Sequence, residues 1–261
     1  VVTPAAVTLS NLTVSYQRHP ALHHISGSFL AGSLSAVVGP NGSGKSTLLK
    51  SIARLVPPDK GNGASGQART LQISVTPRRI GYLAQVAELD KTFPMTVWDC
   101  VALGCWTGVG AWGAVTVAMR DGIDGALHGV GLQGFEDRNI GSLSSGQLQR
   151  VLFARLLVQD ADLILLDEPF SAIDSATSAA LLTFILQWHR QGRTVIAVLH
   201  DDALVRTHFP DSMLLARELV AWGTTADVLT AANLARARSM AEAWDESAAV
   251  CDVNAMAKPL A

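Results

Sequence analysis

Residues Gly39-Pro40-Asn41-Gly42-Ser43-Gly44-Lys45-Ser46-Thr47 lie between the apolar run Leu34–Val38 and a helical pattern that continues to about residue 55. Glycines at 39, 42 and 44 let a short backbone segment wrap until several N–H groups converge on one point. A helix opening near Lys45 adds its positive end to the same point. Lys45 then reaches the β- and γ-phosphates of a nucleoside triphosphate, and Ser46 offers a hydroxyl to Mg²⁺. Strand, loop and helix in this order predict an α/β core with its ligand at one edge of the sheet. All nine residues are expected to border that ligand.

A second apolar run, residues 163–166, ends in Asp167 and Glu168. Adjacent positions at a strand end point differently, which suits a division of labour. Asp167 is the candidate Mg²⁺ ligand through water, and Glu168 the candidate general base for an attacking water. Residues 194–199 form another such run and deliver His200 to the carboxyl edge of the sheet, where ligands bind in this architecture. His200 can contact the γ-phosphate or serve as a structural residue, and both readings stand.

The remaining pattern sets the organisation. Residues 7–12, 14–16 and 25–30 read as strands around a turn at 17–20, and the helix from Lys45 must stop before Pro57-Pro58. Residues 59–67 read as a glycine-rich linker, residues 80–84 as a strand reaching Gln85, and residues 86–160 as an inserted helical subdomain. Residues 213–216 and 218–222 read as a hairpin. One domain over 1–245 with a flexible tail at 246–261 is the expected division.

With 49% apolar and 16% charged residues and a mean hydropathy of +0.27, the chain suits either a well-packed enzyme or one with a face that docks on another protein. No run of 18 apolar residues occurs, so no membrane span is expected. The amino-terminal stretch lacks a secretory pattern, which implies a cytoplasmic location. A net charge of -2 without a Lys/Arg stripe argues against a nucleic-acid partner. Cys100, Cys105 and Cys251 are spaced as neither a disulfide framework nor a metal set.

In order and spacing these motifs resemble the nucleotide-binding subunits of ATP-binding cassette transporters, over about residues 7–230. The resemblance implies a P-loop NTPase with a RecA-like mixed-sheet core, an amino-terminal antiparallel β subdomain and an inserted helical subdomain. It implies an ATPase using ATP and Mg²⁺, with Lys45, Gln85, Glu168 and His200 as the catalytic group. Tyr16 would stack on adenine, and Gln85 would touch both Mg²⁺ and the attacking water. Ser46, Gln85 and Asp167 would form the metal set. Leu143-Ser144-Ser145-Gly146-Gln147 matches the family signature, which binds the γ-phosphate of a nucleotide held mainly by a second subunit. Asp174, in Ser171-Ala172-Ile173-Asp174, matches the inter-subunit aspartate loop.

Ser145 departs from the usual Ser-Gly-Gly core of the signature. A positive φ there would make serine costly; a need only for a small side chain would not. The resemblance further implies two copies meeting head to tail on an integral membrane permease, at the cytoplasmic face of the membrane, with an extracytoplasmic solute-binding protein as an indirect partner. After Gln85, the run from Asp90 through Phe93-Pro94, Thr96-Val97 and Asp99 is similar to the importers of zinc and manganese. Import of another small solute, a soluble non-transport cassette ATPase, and an ATP-binding protein that barely hydrolyses are the alternatives.

Overall fold

The computed structural model describes residues 3–17, 19–59, 72–85, 93–106 and 113–242. The chain divides into two compact units, residues 1–76 with 198–261, and residues 77–197. Its elements begin with β1 (Ala5–Tyr16), β2 (His19–Leu30), β3 (Leu34–Val38), α1 (Lys45–Ile52), β4 (Ile73–Val75), β5 (Ile80–Leu83), α2 (Val97–Ala102) and α3 (Val117–Gly129). They continue with α4 (Ser145–Val158), β6 (Leu163–Asp167), α5 (Ser175–Arg190), β7 (Thr194–Val198), α6 (Asp202–His208), β8 (Asp211–Ala216), β9 (Glu218–Thr224), α7 (Thr225–Val228) and α8 (Ala231–Glu242).

In the first unit β1 is the centre of an antiparallel sheet ordered β2-β1-β4. The two strands expected over residues 7–16 are one. The pattern break between them is absorbed by a register slip between Leu9 and Leu12, where Asn11 takes a φ of 54°. The turn is also tighter than expected. Tyr16 pairs with His19 and Ser15 with Pro20, so Pro20 belongs to β2. A proline is tolerated there because β2 lies at the edge of this sheet.

All five residues of β3 are buried. It runs parallel to β8, and β8 turns back into β9 as the expected antiparallel hairpin through Arg217. Helix α1 buries Leu48, Leu49 and Ile52 and stops at Ile52, short of the prolines, because Arg54 adopts a left-handed φ of 63°.

In the second unit β5 and β6 pair in parallel from Ile80–Leu163 to Leu83–Leu166, with β7 beside β6. Every residue of β6 and β7 is buried, which is why both read as unbroken apolar runs. Phe153 of α4 stacks on Trp188 of α5 with ring centroids 5.4 Å apart. The described residues between 93 and 160 form helices, two short 3₁₀ turns at Leu103–Cys105 and Ile140–Ser142, and one isolated bridge, Thr96 to Asn139. Helix α2 is opened by a reciprocal cap between Thr96 and Asp99. The tail at 246–261 and nearly all of the linker at 59–67 lie outside the described residues.

The entries of β5, β6 and β7 are tied by one ionic cluster. Arg79 Nη2 donates to Asp162 Oδ1 at 2.7 Å, and its Nη1 donates to Asp160. Arg193 Nη2 donates to Asp160 Oδ1 at 2.7 Å, and its Nη1 to the Ala161 carbonyl at 2.9 Å. Hydrogen bonds from Arg79 hold the Asp162 carboxyl below its usual range, and those from Arg193 and Arg79 do so for Asp160. Both folded-state values are depressed, so the stabilisation is complete above the ordinary carboxylate pKa of about 4 and is lost as pH falls through the folded values. The cluster is partly exposed, so solvent screens it. Asp160→Ala should lower the unfolding free energy by about 1 kcal/mol at neutral pH. Urea titrations should show that difference shrinking in high salt and disappearing at the acid end.

Candidate active site

In the first unit the phosphate loop is shaped by close backbone approach. Gly39 has φ 148°, and a Cβ there would lie 2.0 Å from the Leu215 carbonyl oxygen. Helix α1 starts behind Gly44 with no side-chain cap and no acidic residue in its first turn, which leaves its amino end electropositive. Lys45 is 6% exposed. Its Nζ donates to the Gly39 and Pro40 carbonyls at 2.9 and 2.8 Å, which places the ammonium inside the loop. An ionised phosphate oxygen is a stronger acceptor than either carbonyl. The Ser43 hydroxyl oxygen is buried without a hydrogen-bond partner, a donor suited to the same anion. Asn41 and Gly42 are exposed, whereas Thr47 turns into the interior.

Tyr16 ends β1 with 47% of its surface exposed, as an adenine platform requires. His200 lies just past β7, exposed, next to Asp201, whose Oδ1 caps α6 by accepting from the N–H groups of Ala203 and Leu204. Strand β7 ends one residue earlier than expected, and the Leu199 N–H donates to the Val37 carbonyl.

In the second unit Asp167 is the last residue of β6 and has no exposed surface. Glu168 follows in a left-handed conformation, φ 51°, which turns its side chain away from the strand direction. Gln85 Nε2 donates to Glu168 Oε1 at 2.9 Å, a direct contact between two residues 83 positions apart. Gln149 was not among the expected site residues. It is 1% exposed on α4, and its Nε2 donates to the Glu168 and Pro169 carbonyls at 3.3 and 3.2 Å. A polar side chain on the buried face of the signature helix was the available signal.

The signature opens α4 with a reciprocal cap. Ser144 Oγ accepts from the Gln147 N–H, and Gln147 Oε1 accepts from the Ser144 N–H at 3.0 Å. Ser144 is exposed and keeps its O–H for another acceptor, while the Gln147 amide serves the cap. Ser145 is the first residue of α4 and is not left-handed, so serine meets no backbone strain. Gly146 is the constrained position: a Cβ there would lie 2.5 Å from the Ala172 carbonyl oxygen. That contact joins the signature to the loop ending in Asp174. Asp174 caps α5 by accepting from the Thr177 N–H at 2.9 Å and the Thr177 hydroxyl at 2.7 Å, and these bonds hold its carboxyl below the usual range.

A family model described as "ABC transporter" matches residues 22–171. The chain belongs to the ABC transporter family. It is 40% identical over 222 residues to a "Probable metal transport system ATP-binding protein" of Chlamydia pneumoniae, covering 85% of each chain. It is 38% identical over 228 residues to the manganese transport system ATP-binding protein MntB of Bacillus subtilis (strain 168), covering 87% of this chain and 90% of that one. A nucleotide-free ATP-binding cassette from an ABC transporter superposes with a TM-score of 0.70 at 20% identity, covering 90% of this chain and 99% of that one, and so shares the fold. The protein is therefore an ABC ATPase with a RecA-like P-loop core, a mixed sheet and a helical subdomain, and it uses ATP with Mg²⁺. Oxygen donors of the hard kind Mg²⁺ prefers are present in each unit: the Ser46 hydroxyl in the first, and the Asp167 carboxylate and Gln85 amide oxygen in the second.

Gly146 and Ser145 separate experimentally. Gly146→Ala should cost about 1–3 kcal/mol, because a backbone carbonyl occupies the space. Ser145→Gly should change stability by less than about 1 kcal/mol. Denaturant titration of both variants checks the contrast.

Proposed function

We propose that this chain is the ATP-hydrolysing subunit of an importer for a divalent metal ion, zinc or manganese. The observation that carries the cargo is similarity to relatives named for those metals. Besides the manganese MntB protein, the zinc transport system ATP-binding protein TroB of Treponema pallidum is 38% identical over 239 residues, covering 90% of this chain and 87% of that one. The metal is cargo and never touches this chain.

Hydrolysis follows from the side chains described above. The loop N–H groups and Lys45 neutralise the β- and γ-phosphates, and Tyr16 carries the adenine. Ser46, Asp167 and Gln85 would hold Mg²⁺, which supplies charge neutralisation on the phosphate oxygens. Glu168, oriented by the Gln85 amide, takes the proton of the attacking water, and His200 contacts the γ-phosphate. Ser144, the backbone of Gly146 and the amino end of α4 serve the nucleotide of a second copy docked head to tail, with Asp174 at that junction. Each copy then holds one phosphate loop and lends one signature.

No helix among the described residues is long and apolar enough to cross a membrane. The proposal therefore gives transport to a separate permease, with this chain peripheral at the cytoplasmic face and a solute-binding protein outside. Phe93, Trp106 and Leu103 remain 58%, 58% and 43% exposed, which suits docking on the permease. The run from Asp90 to Thr92 lies outside the described residues. The division into one domain over 1–245, with the helical subdomain at 86–160, is part of the same proposal.

The test is ATP hydrolysis by the chain reconstituted with its permease and binding protein, with zinc or manganese supplied as cargo. One of the two should stimulate hydrolysis. Glu168→Gln should lower the stimulated rate by about 10²- to 10⁴-fold while ATP affinity holds. Stimulation by neither metal removes the cargo assignment, and a parental rate in Glu168→Gln removes the base.

A further inference from the structure

Within the first unit, three pieces of chain meet at Arg217. This residue is the corner between β8 and β9 and holds a left-handed φ of 64°. Its N–H donates to the Ser43 carbonyl of the phosphate loop at 3.0 Å, and its own carbonyl accepts from the His23 N–H of β2 at 2.8 Å. Its guanidinium Nη1 reaches the Pro20 carbonyl at 3.2 Å. The following residue doubles the attachment, since the Glu218 carboxylate holds His23 Nδ1 at 2.9 Å.

Pro20 lies opposite Ser15, and His19 opposite Tyr16. The guanidinium therefore grips β2 one residue from the partner of Tyr16. Loop and strand also touch directly, because a Cβ on Gly44 would lie 2.3 Å from the Ala21 carbonyl oxygen. Twist is larger in a two-stranded ribbon than in a broad sheet, so a contact from outside the ribbon bears on where its end sits. Glycine would suit the left-handed backbone at this corner better than arginine. Arginine contributes what glycine lacks, a charge-assisted bond to the hairpin beside its tip.

We infer that Arg217 is a positioning residue for the nucleotide: it sets the tip of the β1–β2 hairpin, and with it the Tyr16 ring, at a fixed offset from the phosphate loop. The inference rests on the reading above in which Tyr16 stacks on adenine and the loop holds the phosphates. The role assigned to Arg217 needs no contact with the nucleotide itself. It makes the two parts of the pocket fit one ligand.

Equilibrium titration of the full chain with Mg-ATP and with inorganic tripolyphosphate separates this role from a general structural one. Arg217→Ala keeps a Cβ at the corner, so its backbone cost matches the parent. It should weaken Mg-ATP binding about three- to tenfold, the effect of one lost hydrogen bond, and leave tripolyphosphate binding within about twofold. In a Tyr16→Ala background the same substitution should add nothing. Arg217→Lys, which retains a cationic donor, should recover most of the affinity. Equal losses for both ligands, or additive effects in the double variant, overturn the proposal. If Arg217→Ala loses both ligands through misfolding, a folded Arg217→Lys that binds Mg-ATP no better than a folded Arg217→Gly overturns it as well. If Tyr16→Ala alone leaves Mg-ATP affinity intact, the adenine assignment fails first and this inference falls with it.

Discussion

The Leu215 carbonyl, packed where a side chain on Gly39 would have to go, is the contact on which the first unit depends. It forces the loop to curl against the β8–β9 corner, and the curl brings the Gly39 and Pro40 carbonyls round the Lys45 ammonium. The parallel pairing of β3 with β8 supplies the frame for that contact, because one strand feeds the loop and the other feeds the corner. The curl of the loop is thus set by contacts within the first unit.

Helix α4 plays the corresponding part in the second unit. Its first turn carries the signature, its Gly146 lies against the aspartate loop at Ala172, and its Gln149 braces the turn that presents Glu168. One rigid element therefore touches three motifs that are separate in sequence. A shift of α4 would be felt at the turn carrying Glu168 and at the signature together.

Much of this was legible where the physical requirement is confined to a short stretch. The phosphate loop needs glycines, a lysine and a following helix within nine residues, and strands buried on both faces need only an apolar run, so β3, β6 and β7 were evident. The separate roles of Gln85 and Glu168 came from the family resemblance, and their hydrogen bond to each other was not foreseen. What escaped was set by distant contacts. Pro20 reads as a turn residue until β2 is known to be a sheet edge, and the cluster of Arg79, Asp160, Asp162 and Arg193 joins positions that nothing local links. Gln149 and Arg217 are ordinary polar residues in sequence and acquire meaning only from the carbonyls they reach. Ser145 posed a question that only φ could answer, and the helical value at that residue moved the glycine requirement to Gly146.

In the proposed head-to-tail pair, one copy carries half of each catalytic centre. ATP turnover per chain, followed as the concentration of the isolated chain is raised at saturating Mg-ATP, tests that claim most directly. Turnover per chain should climb with concentration and vanish on dilution to the monomer, as paired half-sites require. A turnover per chain that stays constant down to the monomer would show a self-contained site and contradict it.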